Sequence, residues 1–359
     1  MSDMLRRSAE EIFAEELAAL AKGDERARPA NWKMSPQAVV TYLLGGAAAD
    51  GTPIQPKYVG NRRLIETAVA TLATDRALLL LGVPGTAKSW VSEHLAAAIS
   101  GSSKRLIQCT AGTDENQVRY GWNYAQLLAK GPSQEALVPT PLYRAMQDGK
   151  LCRLEELTRM GSDVQDTLIT VLSEKMMPVP ELNTSIYAQR GFNIVATANN
   201  RDKGVNELSS ALKRRFNVVV LPLPDDMAEE VSIVSRRVGE MAGGLDLPVP
   251  KNVGEEIARV LTIFRELRSG ATADGKVTLK TPSGSLSTAE AIATMVSGLS
   301  QAAWFDDGKL HAEGLAPSLV GAIVKDPVQD KVVLEEYLET VLKKRPDYSG
   351  YYAALNAAI

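Results

Sequence analysis

The sequence predicts an α/β fold, in which helices cover both faces of a parallel β-sheet, followed by a mostly helical region. The first observation is that short, nearly continuous apolar runs alternate with amphipathic segments between about residues 58 and 224. Strands of a parallel sheet are buried on both faces and give this pattern. The second is that apolar residues recur with helical spacing from Asp225 onward. Five runs are predicted strands: 77–82, 104–111, 150–157, 191–199 and 217–224.

The remaining elements follow from spacing and capping signals. Residues 5–22 are predicted to form one helix, and Ser35 with Pro36 provides the cap and first turn of a second. Residues 45–56 are predicted to be a flexible connector, and residues 275–284 alternate like a small hairpin. Further helices are predicted at 88–99, 142–146 and 162–175. The predicted parts of the chain are an N-terminal helical region (1–50), an α/β domain (51–224), a helical domain (225–345) and a C-terminal tail (346–359).

Composition argues against several classes of protein. The 359 residues carry a formal net charge of -3, so no overall positive field favours nucleic acid. Cys109 and Cys152 lie in apolar runs and are predicted to be buried thiols of a reducing compartment. Since His94 and His311 are the only histidines, a zinc site is not expected. No apolar run is long enough to span a membrane and the N-terminus lacks a secretory pattern, so we expect a cytoplasmic protein.

Residues 82–89 have the spacing of a phosphate-binding loop. They match the pattern G-x-x-x-x-G-K-[ST] except at its second glycine, where Ala87 stands. Between a strand and a helix, the N–H groups of such a loop converge at a helix N-terminus, where the helix dipole favours phosphate. Lys88 is then predicted to reach the β- and γ-phosphates, and Ser89 to ligate Mg²⁺. The residues predicted to bind nucleotide here are Gly82, Val83, Pro84, Gly85, Thr86, Ala87, Lys88 and Ser89.

The alanine in this loop is interpreted as compatible with function. We expect Ala87 to lie in the first helical turn, where φ is negative and alanine is the better helix former. Gly85 is the position predicted to need a positive φ or a close backbone approach. On this interpretation, Ala87 adds only a methyl group that must point away from the phosphates.

Two adjacent carboxylates lie at the end of the predicted strand 150–157. Glu155 is predicted to hold Mg²⁺, through water, and Glu156 to orient and activate the attacking water. The usual pair at such a strand end is Asp–Glu, so Glu155 is one methylene longer than expected. Adjacent acids also occur on solvated helix starts, and the pair gains its significance from lying two strands after the loop.

Polar residues also lie at the end of the next strand and just before the last one. Asn199 and Asn200 could hydrogen-bond the γ-phosphate or its water, although asparagine is also common in turns. Three cations, Lys213, Arg214 and Arg215, precede the last strand. A solvated charge cluster is the ordinary interpretation, but in a ring a guanidinium here could reach a neighbour's nucleotide.

These motifs resemble the AAA+ ATPases and, within them, the MoxR branch. The loop "GVPGTAKS", the segment "LEELTRMGSDVQDTLITVLSEK", and the segments "IVATANN" and "ALKRRF" match that family in order, the last two as its sensor-1 and arginine-finger segments. The second segment matches the branch's continuation at Glu155, Glu156, Arg159, Gln165 and Leu168. The resemblance covers about residues 55–224; beyond 225 it depends on helicity alone.

The resemblance implies an AAA+ αβα sandwich whose five-stranded sheet has the loop strand at its centre, followed by a helical lid. It implies a hexameric ring of identical subunits with ATP and Mg²⁺ bound between them. Arg215 aligns best with the arginine finger, and Arg214 is the second candidate. Val59 and Gly60 match the segment that contacts adenine. Where the lid usually carries a sensor-2 arginine, this chain has Ala289.

Residues 113–142 form a long polar insert between the second strand and the next helix. In the MoxR branch such inserts face the pore or a partner, so Tyr120, Trp122 and Tyr124 could be gripping aromatics. Aromatic residues at this spacing are more often packed.

Three functions are consistent with the sequence. The first is a ring-forming ATPase that remodels or activates a partner, such as a separate protein with a von Willebrand factor A domain. The second is an ATP-gated scaffold that binds ATP but hardly hydrolyses it, a hypothesis motivated by Glu155 and Ala289. The third is a nucleic-acid motor, which the acidic balance of charge disfavours.

Overall fold

A computed structural model describes residues 6–199 and 206–359, so the predicted site residue Asn200 lies outside the described residues. The chain forms two compact units. The first contains the chain up to Gly82 together with Ala87–Leu221, and the second contains Val83–Thr86 and Pro222–Ile359. The helices before residue 50 therefore belong to the first unit, and the residues after 345 belong to the second.

The first unit is built on a five-stranded sheet with strands β1 (Ala77–Gly82), β2 (Leu106–Gln108), β3 (Leu151–Glu155), β4 (Asn193–Asn199) and β5 (Phe216–Val220). Its order is β5-β1-β4-β3-β2 with all neighbours parallel, as predicted. The central strand is β4, however, and not the loop strand β1. The reason is topological, because β3 and β4 insert between β1 and β2 and only β5 pairs with the other edge of β1.

The side chains of β1 alternate between the two faces of the sheet, so the core of this unit has two layers. Leu78 and Leu80 pack in one apolar cluster together with the N-terminal helices and the helix that follows the loop. Ala77 and Leu79 point to the opposite face and join a second cluster. Successive strand residues face opposite sides of a sheet, so a continuous apolar run supplies both layers. The predicted three-layer arrangement is confirmed.

The N-terminal region contributes short helices to the first of these layers. The single helix predicted at 5–22 is instead two helices, because the chain leaves helical geometry at Phe13 (φ -107°, ψ 29°). The predicted cap at Ser35 is confirmed, since its side chain accepts a hydrogen bond from the amide of Ala38. The helices of the first unit are Ala9–Ile12, Ala14–Lys22, Pro36–Leu44, Arg62–Leu72, Lys88–Ser100, Glu115–Val118, Tyr124–Lys130, Pro141–Asp148, Ser162–Asp166, Leu168–Glu174 and Ser210–Lys213.

Small hairpins are the elements that the sequence pattern predicts least well. The insert at 113–142 contains an antiparallel pair, Tyr120–Trp122 with Leu137–Pro139. Two further pairs were not predicted, and one lies in the expected connector. The hairpin predicted at 275–284 is reduced to a single bridge between Ala271 and Thr278. The two unpredicted pairs are Gly46–Ala47 with Pro53–Ile54 and Met176–Val179 with Thr184–Tyr187.

The second unit is helical around one apolar core. Its C-terminal helix is part of that core, because Tyr351 and Leu355 are buried in it. Among the described residues, no helix combines the length and apolar character needed to cross a membrane. The helices are Met227–Gly244, Val253–Ser269, Thr288–Phe305, Ala312–Ile323, Gln329–Thr340 and Ser349–Ala358.

Candidate nucleotide site

Three predicted site residues lie at the carboxyl edge of the sheet. The register pairs Asn199 with Gly82 and Ala196 with Leu154, one residue before Glu155. Parallel strands end together, so Gly82, the carboxylate of Glu155 and the amide of Asn199 lie at one edge. Ligands of open parallel sheets bind at this edge.

The loop backbone differs from the sequence prediction at one residue. Gly85 has a φ of +81°, as predicted, but Ala87 has a φ of +61° and lies outside the helix as its N-terminal cap. The expectation of a negative φ at Ala87 is therefore wrong. The physical reason is that the chain needs a left-handed residue to turn from the loop into the helix, which begins only at Lys88.

Two of the predicted phosphate-site residues, Lys88 and Ser89, directly follow the turn. Lys88 is buried, and its Nζ donates a hydrogen bond to the carbonyl oxygen of Gly82 at 3.0 Å. Ser89 is exposed at the start of the helix. Within the loop, the hydroxyl of Thr86 donates to the carbonyl oxygen of Val83 at 3.0 Å. The lysine side chain thus folds back to the end of β1, where the loop begins.

Glu155 is the last residue of β3 and is deeply buried. Its Oε1 accepts hydrogen bonds from Arg153 Nη2 at 2.9 Å and from the hydroxyl of Ser92. Its Oε2 accepts from the hydroxyl of Thr197 at 2.7 Å. The carboxylate is thereby fixed in orientation and paired with an internal cation.

Glu156 has different surroundings although it is the next residue. Its φ of +57° turns the chain out of β3, and its amide donates to the hydroxyl of Thr197 at 3.0 Å. Its side chain is 43% exposed, and its Oε2 lies 3.3 Å from Nε of Arg159. One carboxylate is therefore enclosed while its neighbour is open to water, which fits the two roles that the sequence predicted for them.

The two candidate arginines also differ. Arg215 is half-buried and is held within its own subunit: its Nη1 donates to the carbonyl oxygen of Ala211 at 2.5 Å and its Nε donates to the hydroxyl of Ser173. Arg214 is exposed, and its side chain makes no hydrogen bond or ion pair within residues 6–199 and 206–359.

The segment predicted to contact adenine is attached to the loop helix. Trp90 Nε1 donates a hydrogen bond to the carbonyl oxygen of Lys57 at 2.8 Å. This hydrogen bond holds the residues next to Lys57 in place. Val59 is half-buried and Gly60 is exposed with a φ of +142°. A Cβ on Gly60 would lie 2.9 Å from the hydroxyl of Tyr58, so this position favours glycine.

The donor set fits magnesium held together with a triphosphate. Among the described residues, no group of three or more His, Cys, Asp or Glu side chains could hold a metal alone. Mg²⁺ is usually bound through one or two carboxylates together with substrate phosphates. Glu155 and the exposed hydroxyl of Ser89 supply this type of incomplete, oxygen-only site.

Sequence reasoning missed the groups around Glu155. Arg153, Ser92 and Thr197 all contact its carboxylate, and none was a predicted site residue. The arginine was visible in the sequence as a charged residue within an apolar strand, two positions before Glu155 and hence on the same face. The two hydroxyls come from other elements and carry no such signal.

The aromatic residues of the insert are not equivalent. Tyr120 is buried and donates a hydrogen bond from its hydroxyl to Glu181 at 2.9 Å. Trp122 is half-buried, with its ring centroid 6.0 Å from that of Tyr120. Tyr124 is 69% exposed. Packing thus accounts for Tyr120, and Tyr124 is the aromatic available to a partner.

Comparison with known proteins agrees with these motifs. The family "AAA domain (dynein-related subfamily)" matches residues 77–216, and the "YehL-like AAA+ ATPase C-terminal domain" matches residues 228–352. The Escherichia coli (strain K12) protein named "Uncharacterized protein YehL" is 41% identical over 358 residues, which are 97% of this chain and 96% of that protein. This chain belongs to the YehL-like AAA+ ATPases. The family match at 228–352 extends to the helical lid, where the sequence motifs gave no support beyond helicity.

This chain is also similar, more distantly, to other proteins. An uncharacterized protein of Staphylococcus haemolyticus is 24% identical over 181 residues, covering 50% of this chain and 68% of its own length. Brucella abortus NtrX, solved in complex with ATP, has 13% identity and a TM-score of 0.49, covering 76% of this chain and 57% of that one. A putative ATPase from Cytophaga hutchinsonii has 17% identity and a TM-score of 0.40, covering 87% and 88%.

Proposed function

We propose that this YehL-like protein is a Mg²⁺-dependent ATPase of the MoxR type that acts as a ring, hydrolyses ATP between subunits, and thereby remodels or activates a partner protein. The observation that carries the proposal is the pair of carboxylates at the end of β3. Glu155 is buried and oriented, whereas Glu156 is open to water. Binding a metal and activating a water molecule require these two different environments.

Each site residue then has a defined task. The loop amides and Lys88 bind the β- and γ-phosphates, while Val59 and Gly60 lie against the adenine. Ser89 and Glu155 hold Mg²⁺, which when bound neutralises charge on the phosphate oxygens. Glu156 accepts a proton from the attacking water, and Asn199 hydrogen-bonds that water or the γ-phosphate.

The ring and the partner form the second half of the proposal. AAA+ membership and the exposed Arg214 support a homo-oligomer, which we propose to be hexameric, with the arginine facing a neighbour's nucleotide. The resemblance to the MoxR branch suggests a separate partner with a von Willebrand factor A domain. The exposed ring of Tyr124 is the contact we propose on the insert.

We also propose a cytoplasmic location. Cys109 and Cys152 are both free and buried, and burial raises the pKa of the Cys109 thiol to about 12. Such protonated, enclosed thiols are typical of structural cysteines in a reducing compartment.

An ATP-gated scaffold is the second candidate, and one observation favours it. Glu155 already has an internal counter-ion in Arg153, at 2.9 Å. A carboxylate paired in this way binds a metal ion less strongly, so hydrolysis could be slow enough for the bound state to be the active one. A nucleic-acid motor has no comparable support, since the chain carries a net charge of -3.

The experiment measures ATP turnover and ATP binding separately. We expect the wild type to hydrolyse ATP only with Mg²⁺, and Glu156→Gln to keep ATP affinity while losing about 10²-fold or more in turnover, because its general base is gone. Lys88→Ala should lose binding. Glu174→Gln, an exposed glutamate at a helix end, is the matched control and should behave as wild type.

Two outcomes would contradict the proposed function. Near-zero turnover in both the wild type and Glu156→Gln, with ATP binding retained, would establish the scaffold instead. Salt-sensitive binding to DNA or RNA that stimulates turnover would revive the motor.

A further inference from the structure

The strongest unassigned feature of the nucleotide-binding unit is the side chain of Arg153. It lies in the middle of β3, where the neighbouring residues are apolar, and its side chain is only 7% exposed. Glu155, two residues along the same strand, is 3% exposed. Residues at this spacing share a face of the sheet. The site therefore contains a buried ion pair that the AAA+ motifs do not include.

The guanidinium is held from several sides. Besides Glu155, it donates to the carbonyl oxygen of Ser89 at 3.1 Å, to the hydroxyl of Ser92 at 3.1 Å and to the carbonyl oxygen of Ser103 at 3.2 Å. Ser89 and Ser92 lie on the helix that follows the phosphate loop. Arg153 thus connects the two residues proposed to hold the metal, one through its backbone and the other through its carboxylate.

This position has a consequence for cation binding. A buried charge pair interacts strongly because little water screens it. A nearby cation lowers the affinity of a carboxylate for a proton by about 10- to 1000-fold, and a divalent metal ion meets the same repulsion. Phosphate oxygens add negative charge and further ligands, so the triphosphate can offset that repulsion.

We propose that Arg153 is a positioning residue of the metal site, which orients Glu155 and neutralises it until the metal arrives together with the triphosphate. The nucleotide-free protein then has little affinity for divalent cations at Glu155. This inference depends on the proposed function, since it concerns the metal of the same reaction. Its test, however, measures metal binding and not ATP turnover.

The test titrates Mn²⁺ into the nucleotide-free, full-length protein and measures free Mn²⁺ by electron paramagnetic resonance. Arg153→Gln should bind Mn²⁺ about tenfold or more tightly than the wild type, because the repelling charge is gone. The double variant Arg153→Gln/Glu155→Gln should lose that gain. Arg153→Lys, which keeps the charge, should remain as weak as wild type. Arg190→Gln removes an exposed arginine as the matched control for net charge.

Unchanged Mn²⁺ affinity in folded Arg153→Gln would overturn the proposal. A gain in Mn²⁺ affinity that persists in the double variant, or that appears equally in Arg190→Gln, would also overturn it. Such a gain would reflect the overall charge of the protein. Circular dichroism shows whether each variant folds. If Arg153→Gln does not fold, the test uses the wild type. Without nucleotide, we expect the wild type to bind Mn²⁺ weakly. With a non-hydrolysable ATP analogue, we expect one tightly bound Mn²⁺ per subunit. Tight binding without nucleotide would overturn the proposal, whereas absent ATP turnover would count only against the proposed function.

Discussion

At the scale of single residues, the site contains two non-glycine residues with left-handed backbone. Ala87 has a φ of +61° and Glu156 a φ of +57°. For L-amino acids this region costs about 1–2 kcal/mol, and glycine avoids the penalty. Ala87 directly precedes the helix Lys88–Ser100, and Glu156 directly follows β3. The cost thus falls where the chain turns toward the candidate phosphate and water positions.

The strain at Ala87 can be measured. We expect Ala87→Gly to raise the free energy of unfolding by about 0.5–1 kcal/mol, because relief of the left-handed penalty exceeds the added entropy of the unfolded glycine. Ala70→Gly, at an exposed position of the helix Arg62–Leu72, should lower it by up to about 1 kcal/mol. Denaturant titrations without nucleotide test both variants. A loss of stability in Ala87→Gly would contradict the left-handed assignment.

At the scale of elements, the end of β3 separates the two glutamates. Glu155 is the last strand residue and faces the helix after the candidate phosphate loop, while Glu156 directly precedes a short 3₁₀ turn and has a side chain that is 43% exposed. Adjacency in sequence therefore does not imply a shared environment. The strand boundary decides which carboxylate is enclosed and which reaches water.

A second element boundary distinguishes the two arginine candidates. The helix Ser210–Lys213 ends just before them, and Arg215 folds back onto this helix while Arg214 points outward without a partner in the described residues. We expect Arg214→Ala to keep ATP binding and to lose about 10³-fold or more in turnover. Arg215→Ala should act mainly on stability. Lys213→Ala, which removes the adjacent exposed cation, is the control.

Mixed assemblies test whether the arginine acts between subunits. Combining Arg214→Ala and Glu156→Gln subunits should restore partial turnover, because some interfaces then contain both intact groups. Turnover that stays absent in all mixtures would contradict action across a subunit boundary. Loss of turnover in Arg215→Ala with retained stability would instead identify Arg215, the residue that aligns best with the family motif.

At the scale of the whole molecule, the helical unit has its own buried charged centre. Glu266 accepts hydrogen bonds from Arg345 at 2.8 and 3.0 Å and from the hydroxyl of Tyr337 at 2.6 Å. The amide of Ala273 adds another at 2.8 Å. Burial alone raises the pKa of Glu266, but the hydrogen bonds outweigh it and hold that pKa below its ordinary value of 4.5.

This lowered pKa predicts an acid-sensitive unit. A carboxyl with a depressed folded-state pKa contributes stability above its unfolded pKa and loses it as the pH falls through the folded one. Glu266→Gln should therefore unfold more easily than wild type at pH 7, and the difference should shrink as the pH falls below about 4.5. Thermal unfolding between pH 7 and 3.5 checks this, with exposed Glu313→Gln as the control. A difference independent of pH would contradict the assignment.

The sequence by itself determined the sheet, its five strands, the phosphate loop and the positions of the candidate carboxylates. It could do so because these features are local: apolar runs, loop spacing and cap residues act over a few neighbours. The helix break at Phe13 and the hairpin that contains Met177 were missed because these residues pack in apolar clusters with segments distant in sequence. The helical lid, which the resemblance implied from helicity alone, is matched by the family comparison at residues 228–352.

Only the tertiary structure decided the order of the strands, the left-handed turn at Ala87 and the different exposure of the two glutamates. It alone brought Arg153, Ser92 and Thr197 to the carboxylate of Glu155. These contacts join residues up to 63 positions apart. The physical reason is that hydrogen bonds and burial depend on distance in space, and a single chain's local pattern does not encode which distant groups come to share one enclosed position.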